Sequence, residues 1–134
     1  MFPEPPPGFQ LYPQHGGFAQ SFGPIYLHAE GGRLGFRVTQ GHLNVAGVCH
    51  GGALASFADL QMIAIRTALG PVVKHRPTVN LSVDYVAPAP LGAWVEAAVT
   101  LVKATRSMVF THALITADGA VVAQSRAIYH TPRA

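Results

Sequence analysis

Hydrophobic positions cluster most densely between Asn44 and Gly70, in NVAGVCHGGALASFADLQMIAIRTALG. Ala53, Leu54, Ala55, Phe57, Ala58, Leu60, Met62, Ile63, Ala64 and Ile65 leave no wide polar face, which predicts one helix enclosed on nearly every side. Gly70 and Pro71 supply a helix stop. The run is under twenty residues and is interrupted by Asp59, Gln61 and Arg66, too short and too polar to span a bilayer. A second kind of pattern follows it. From Thr78 to Val86, Val79, Leu81, Val83 and Tyr85 alternate with Thr78, Asn80, Ser82 and Asp84, the signature of a half-buried strand.

AWVEAAVTLVKA, SMVFTHALITA and AVVAQSRAIYH read as three more strands, the last two joined by the tight-turn pair Asp118-Gly119. Upstream, IYLHAE and LGFRVT flank Gly31 and Gly32 as a hairpin. The predicted order is a hairpin, one long helix and a four-strand antiparallel meander, an α+β chain whose sheet of about six strands curls around the helix. Residues 1–24 hold Pro3, Pro5, Pro6, Pro7, Pro13 and Pro24. They are expected to form an extended arm unable to sustain a helix or a central strand. Residues 25–134 form the single domain that 134 residues allow.

Composition changes this picture in two ways. Charged residues are 11% and apolar ones 49%, more apolar surface than a small monomer hides, so subunit contacts are expected. The formal charge of +3 reflects few acids, not a Lys/Arg run, which argues against nucleic acid as a partner and is compatible with a phosphate-bearing substrate. Cys49 is the only cysteine, excluding an intrachain disulfide. Nothing resembles a signal peptide, so the cytoplasm is the expected compartment and no membrane association is expected. His42, Cys49 and His50 do not follow zinc-ligand spacings, so no metal is expected.

Asn44, Gly47, His50, Gly51, Gly52 and Asp59 form the pattern N-x-x-G-x-x-H-G-G-x6-D. It resembles the hotdog-fold acyl-CoA thioesterases of the phenylacetic-acid-degradation type. GPIY at 23–26, SVDYVAPAPLG at 82–92 and KATRSMVF at 103–110 are similar to the same family, so the resemblance covers about residues 20 to 130. It implies a hotdog fold, a homo-oligomer that is at least a dimer and is expected to be a tetramer, and hydrolysis of an acyl-CoA thioester. No cofactor is implied, coenzyme A being part of the substrate.

Thioester hydrolysis needs donors for the oxyanion and a group that delivers water. Gly51 and Gly52 open the helix, where unpaired N–H groups and the helix dipole favour negative charge, so the thioester oxygen is expected at the Gly51 amide with Gly52 beside it. The resemblance makes Asn44 a second carbonyl contact, His50 an orienting residue, and Asp59 the general base or else a nucleophile. It also places Thr78 beside Asp59, provided the first residue of its strand turns inward. Lys74, Arg76, Lys103, Arg106 and Arg126 are candidates for the coenzyme A phosphates, and Arg106 has the best claim because its turn matches the family.

Asp59 lies eight residues past Gly51, roughly 12 Å along a straight helix. That is too far for both to meet one carbonyl carbon, so the acid is expected from a second subunit. Two other readings use the same fold, a non-catalytic acyl-CoA binder and an acyl-thioester dehydratase. The first usually carries an output domain and the second a different motif.

Overall fold

The computed structural model describes residues 3–69 and 75–132. The helix stop at Gly70–Pro71 and Lys74 lie outside the described residues. Seven strands form one antiparallel sheet: β1 (Phe9–Tyr12), β2 (Ile25–His28), β3 (Arg33–Arg37), β4 (Thr78–Tyr85), β5 (Trp94–Ala104), β6 (Met108–Ala117) and β7 (Ala120–His130). Their spatial order is β1-β2-β3-β5-β6-β7-β4. The hairpin forms as expected, its turn held by Gly31 and Gly32 at φ of 76° and 81°, where only glycine is unstrained.

The meander forms in part. β5, β6 and β7 are consecutive neighbours, with Asp118 and Gly119 both at positive φ in the last turn. β4 does not join β5. It crosses the sheet and pairs with β7 as the far edge, while β5 pairs with β3. Half-buried alternation identifies a strand but not its neighbours, and the segment from Val86 to Ala93 is long enough for a crossover.

The proline-rich arm is more structured than its composition predicts. β1 pairs with β2 at the other sheet edge, where proline-flanked strands are tolerated, and a six-residue helix, α1 (Gly17–Phe22), sits between Pro13 and Pro24 with no buried residue. The start of the arm is tied down by Arg37, whose Nη2 donates to the carbonyls of Pro3 and Glu4 at 3.3 and 3.0 Å.

The long helix is three helices: α2 (Gly51–Ala58), α3 (Gln61–Ala64) and α4 (Arg66–Leu69). Its interruptions fall where carbonyls leave the helical ladder. Tyr129 Oη donates to the Asp59 carbonyl at 2.8 Å, and Gly32 N–H donates to the Ala64 carbonyl at 2.8 Å. Around the first break the turns tighten, Leu60 N–H donating to Phe57 and Ile63 N–H to Leu60, both at 3.0 Å, the i→i+3 spacing of a 3₁₀ turn.

Leu54, Phe57 and Ala58 of α2 pack with Phe36, Val95 and Ile115 of the sheet in the main core. The opposite side of α2, carrying Gly52, Ala55, Ser56 and Asp59, is not fully covered, so the helix keeps one open face of small residues. Among the described residues no helix is long and apolar enough to cross a membrane.

Candidate active site

The loop that enters α2 is built from short-range hydrogen bonds that glycine and asparagine permit. Asn44 Oδ1 accepts from the N–H groups of Ala46 and Val48 at 3.0 and 3.2 Å, and Gly47 turns the chain at φ 79°. The Asn44 carbonyl oxygen is thus used by the loop, in the manner of an Asx turn. Its NH₂ group has no acceptor among the described residues. His50 is the N-cap of α2, with Nδ1 accepting from Gly52 N–H at 2.8 Å, while its own N–H donates to the His42 carbonyl at 2.7 Å.

That cap divides the two glycines. The Gly52 amide is held by His50, so it is not a free donor. The Gly51 amide, first in the helix, has no acceptor among the described residues and points its dipole end outward. Tyr85, at the end of β4, donates its hydroxyl to the Gly51 carbonyl at 2.6 Å, and a Cβ at Gly51 would meet its ring at 3.3 Å. Sequence reading assigned Tyr85 only to the apolar side of its strand.

Asp59 is the C-cap of α2. Its Oδ1 accepts from Thr78 Oγ1 at 2.7 Å, and Thr78 reaches it because β4 is irregular. Thr78 pairs with Tyr129 and Asn80 with Ile128, leaving Val79 as an extra residue. One extra residue reverses the face of everything before it, which moves Thr78 from the outer side to the helix side. The inward twist expected of Thr78 is this bulge. Tyr129, unremarked in the sequence, braces the same corner through the Asp59 backbone, and burial, reinforced by the Asp59 charge, pushes its phenol well above the ordinary tyrosine value. The raised value keeps the hydroxyl protonated, and so a hydrogen-bond donor, around neutral pH.

The two ends of α2 open into different pockets. Asp59, Thr78 and Tyr129 line one of about 340 Å³, together with Tyr12, Arg66 and Arg76. His50 and Gly52 line another of about 420 Å³, walled by Phe18 and Phe22 of α1 and by Leu43. α2 runs unbroken between them from Gly51 to Ala58, so the straight-helix separation of roughly 12 Å holds. Within one chain the donor end and the acid end do not converge.

Arg106 is exposed in the turn between β5 and β6 and lines neither pocket. Arg66 does not pair with Asp59; it donates to the Tyr12 hydroxyl and lies over its ring. Cys49 is buried and its thiol is raised from 9.0 to about 11 by burial, which suits a packing residue and not a nucleophile. Among the described residues no cluster of three His, Cys, Asp or Glu side chains is placed to hold a metal.

A curved antiparallel sheet around a helix that begins at a glycine-rich loop defines a protein of the hotdog class. A family model for the thioesterase superfamily matches residues 46–124, and the chain belongs to that superfamily. The candidate esterase PA0474 of Pseudomonas aeruginosa is 28% identical over 134 residues, covering 95% of this chain and 97% of its own. Among solved structures, the phenylacetic acid degradation protein PaaI of Thermus thermophilus is similar with a TM-score of 0.67 at 22% identity, covering 93% of this chain and 94% of that one. Zebra fish thioesterase superfamily member 2 is similar with a TM-score of 0.69 at 25% identity, covering 87% of each chain. A hypothetical thioesterase protein of Streptococcus pneumoniae solved with coenzyme A has a TM-score of 0.67 at 18% identity, covering 95% of this chain and 91% of that one.

Proposed function

We propose that the protein is an acyl-CoA thioesterase that works as a homodimer or a tetramer of such dimers, with each site built from two subunits. The observation that carries this reading is the pairing of a free helix-start amide at Gly51 with a hydroxyl-supported carboxylate at Asp59, eight residues along one helix. The open small-residue face of α2 lets a second α2 lie antiparallel against it. About a two-fold axis this brings Asp59 of one subunit to the Gly51 end of the other. The likeness to a structure solved with coenzyme A supports a CoA thioester as substrate.

In that site the thioester oxygen accepts from the Gly51 amide, with the Asn44 NH₂ as a second donor. Asp59, held by Thr78, takes a proton from water as the water oxygen bonds to the carbonyl carbon and the π electrons move to oxygen. Collapse of the tetrahedral adduct breaks the carbon–sulphur bond, and the thiolate takes up the proton. The products are a carboxylic acid and free CoA. His50 orients the loop by capping α2 and makes no bond to substrate in this scheme.

The test is thiol release from aryl, short-chain and long-chain acyl-CoAs by the native protein, Asp59→Asn and Asp59→Ala. The expected result is turnover lost by about 10²–10⁴-fold in both variants, with melting and oligomer size unchanged. Full activity in the variants refutes the role of Asp59. Binding of acyl-CoAs by the native protein without thiol release makes it a binding module instead.

A further inference from the structure

The Asp59 pocket carries more positive charge than the hydrolysis of a neutral acyl group requires. Arg66 and Arg76 both line it, with His75 beside them, and among the described residues Asp59 is the only acid that does. Neither arginine pairs with Asp59. Among the described residues the sole ion pair is Arg33 with Glu96, and Asp59 has Thr78 on one carboxylate oxygen. Arg76 is the sharper anomaly. Its Nε and one Nη are buried with no hydrogen-bond partner, although a guanidinium presents five N–H donors in a fixed fork that fits a carboxylate two bonds at a time. A buried donor left without an acceptor is costly and uncommon in folded proteins.

The rest of the lining bears on what kind of group could supply an acceptor. Leu60, Met62 and Ile63 give the same pocket an apolar lining beside Asp59 and the arginines, suited to a short methylene chain. Asp59 acts at the thioester carbon, so an anion in the same cavity of about 340 Å³ is only a few bonds from that carbon. The phosphates of coenzyme A are held away from the sulphur by the whole pantetheine arm. A carboxylate at the far end of a short acyl chain is not.

We infer that the acyl group of the substrate bears a second carboxylate, which the Arg76 guanidinium binds with Arg66 in the Asp59 pocket. The substrate class is the mono-CoA thioester of a short dicarboxylic acid. The inference rests on the thioesterase reading and deepens it.

Glutaryl-CoA and pentanoyl-CoA, equal in acyl length and different in charge, are the probes. Calorimetric binding to the Asp59→Asn protein reads the preference without turnover, and kcat/KM of the native protein reads it with turnover. The expected preference for glutaryl-CoA is about tenfold or more by both measures. It should fall toward one in Arg76→Met, remain in part in Arg76→Lys, and fall in Arg66→Met, with melting and oligomer size checked for each. The same two acyl groups as N-acetylcysteamine thioesters, which have no phosphates, identify the source of the anion. A glutaryl preference that persists on them supports the inference. Equal binding of glutaryl-CoA and pentanoyl-CoA overturns it, as does an Arg76 effect that is the same for both CoA esters and absent from the truncated ones, which would assign the arginines to phosphate. Failure of the thioesterase reading is a different result, namely no thiol released from any ester while binding is retained.

Discussion

At the scale of single residues, the oxyanion assignment turns on one N–H group, and proline can remove it alone. Gly51 is the first residue of α2, the helical position where proline fits best because its missing N–H makes no helical bond. His50 before it sits at φ −62° and ψ 138°, the extended conformation a following proline demands. Gly51→Pro should therefore melt within a few degrees of the native protein while kcat falls about 10²-fold or more; Gly51→Ala, which keeps the amide and has a Cβ 3.3 Å from the Tyr85 ring, itself 54% exposed, should retain most of it. Equal loss in both variants would mean that the Tyr85 contact matters and the amide does not. Cys49 gives a prediction of a different kind. Its thiol ionises at about 11 in the folded chain against 9.0 ordinarily, so the folded state holds the proton more firmly. The stabilisation is whole below about 9 and drains away as pH rises toward about 11, at up to ~1.4 kcal/mol per pH unit. Urea unfolding of native protein and Cys49→Ala across that window should show the steeper alkaline decline in the native protein, and dithionitrobenzoate should label the thiol only after unfolding.

Among the elements, the join between helix and sheet is polar at its centre. Gln61 is fully buried, its Nε2 donating to Ser125 Oγ at 3.0 Å and its Oε1 accepting from Thr111 Oγ1 at 2.7 Å. Gln61→Ala empties this volume and strands two buried hydroxyls, an expected cost of about 2–4 kcal/mol in chemical denaturation. Combining Gln61→Leu with Thr111→Val and Ser125→Ala should recover most of it, since removing all partners together leaves no orphan. The pattern held part of this in view. Gln61 follows Leu54, Phe57 and Ala58 at helical spacing, which marks its side of the helix as the buried one, although its polarity reads as an interruption. Periodicity likewise carried the helix, the hairpin and the last three strands, because each is a local consequence of which residues face the core. It did not carry the helix breaks, which depend on Tyr129 and Gly32 drawing off two carbonyls, or the placement of β4 beyond β7. Those are decided by contacts between distant segments. The Val79 bulge stands between the two cases: the alternation correctly placed Leu81 and Val83 and misplaced Thr78, because a single unpaired residue reverses the face and leaves no mark in the polarity pattern.

For the whole molecule, the separation of the two half-sites makes a quantitative claim about assembly. Among the described residues the motif brings Asn44, His50 and Gly51 to one end of α2 and Asp59 with Thr78 to the other, so on the proposed reading one subunit holds both halves and no complete site. β4 is an edge strand whose Val79 and Tyr85 are 53% and 54% exposed, and an uncovered apolar edge of this kind invites pairing with a second chain. If sites are composite, Asp59→Asn and Gly51→Pro, each inactive alone, complement one another. In a mixed dimer one site collects both defects and the other collects none, since it takes Asp59 from the Gly51→Pro chain and Gly51 from the Asp59→Asn chain. Equal mixing with free subunit exchange makes half the dimers mixed, so about a quarter of native activity should return. The mixture is prepared by co-expression with two different tags, and the mixed dimer is isolated by sequential affinity steps, where about half of native activity per dimer is expected. A mixed dimer as inactive as its parents would place Asp59 and Gly51 of the same chain in one site, and α2 would then have to break between them, which its unbroken run from Gly51 to Ala58 opposes.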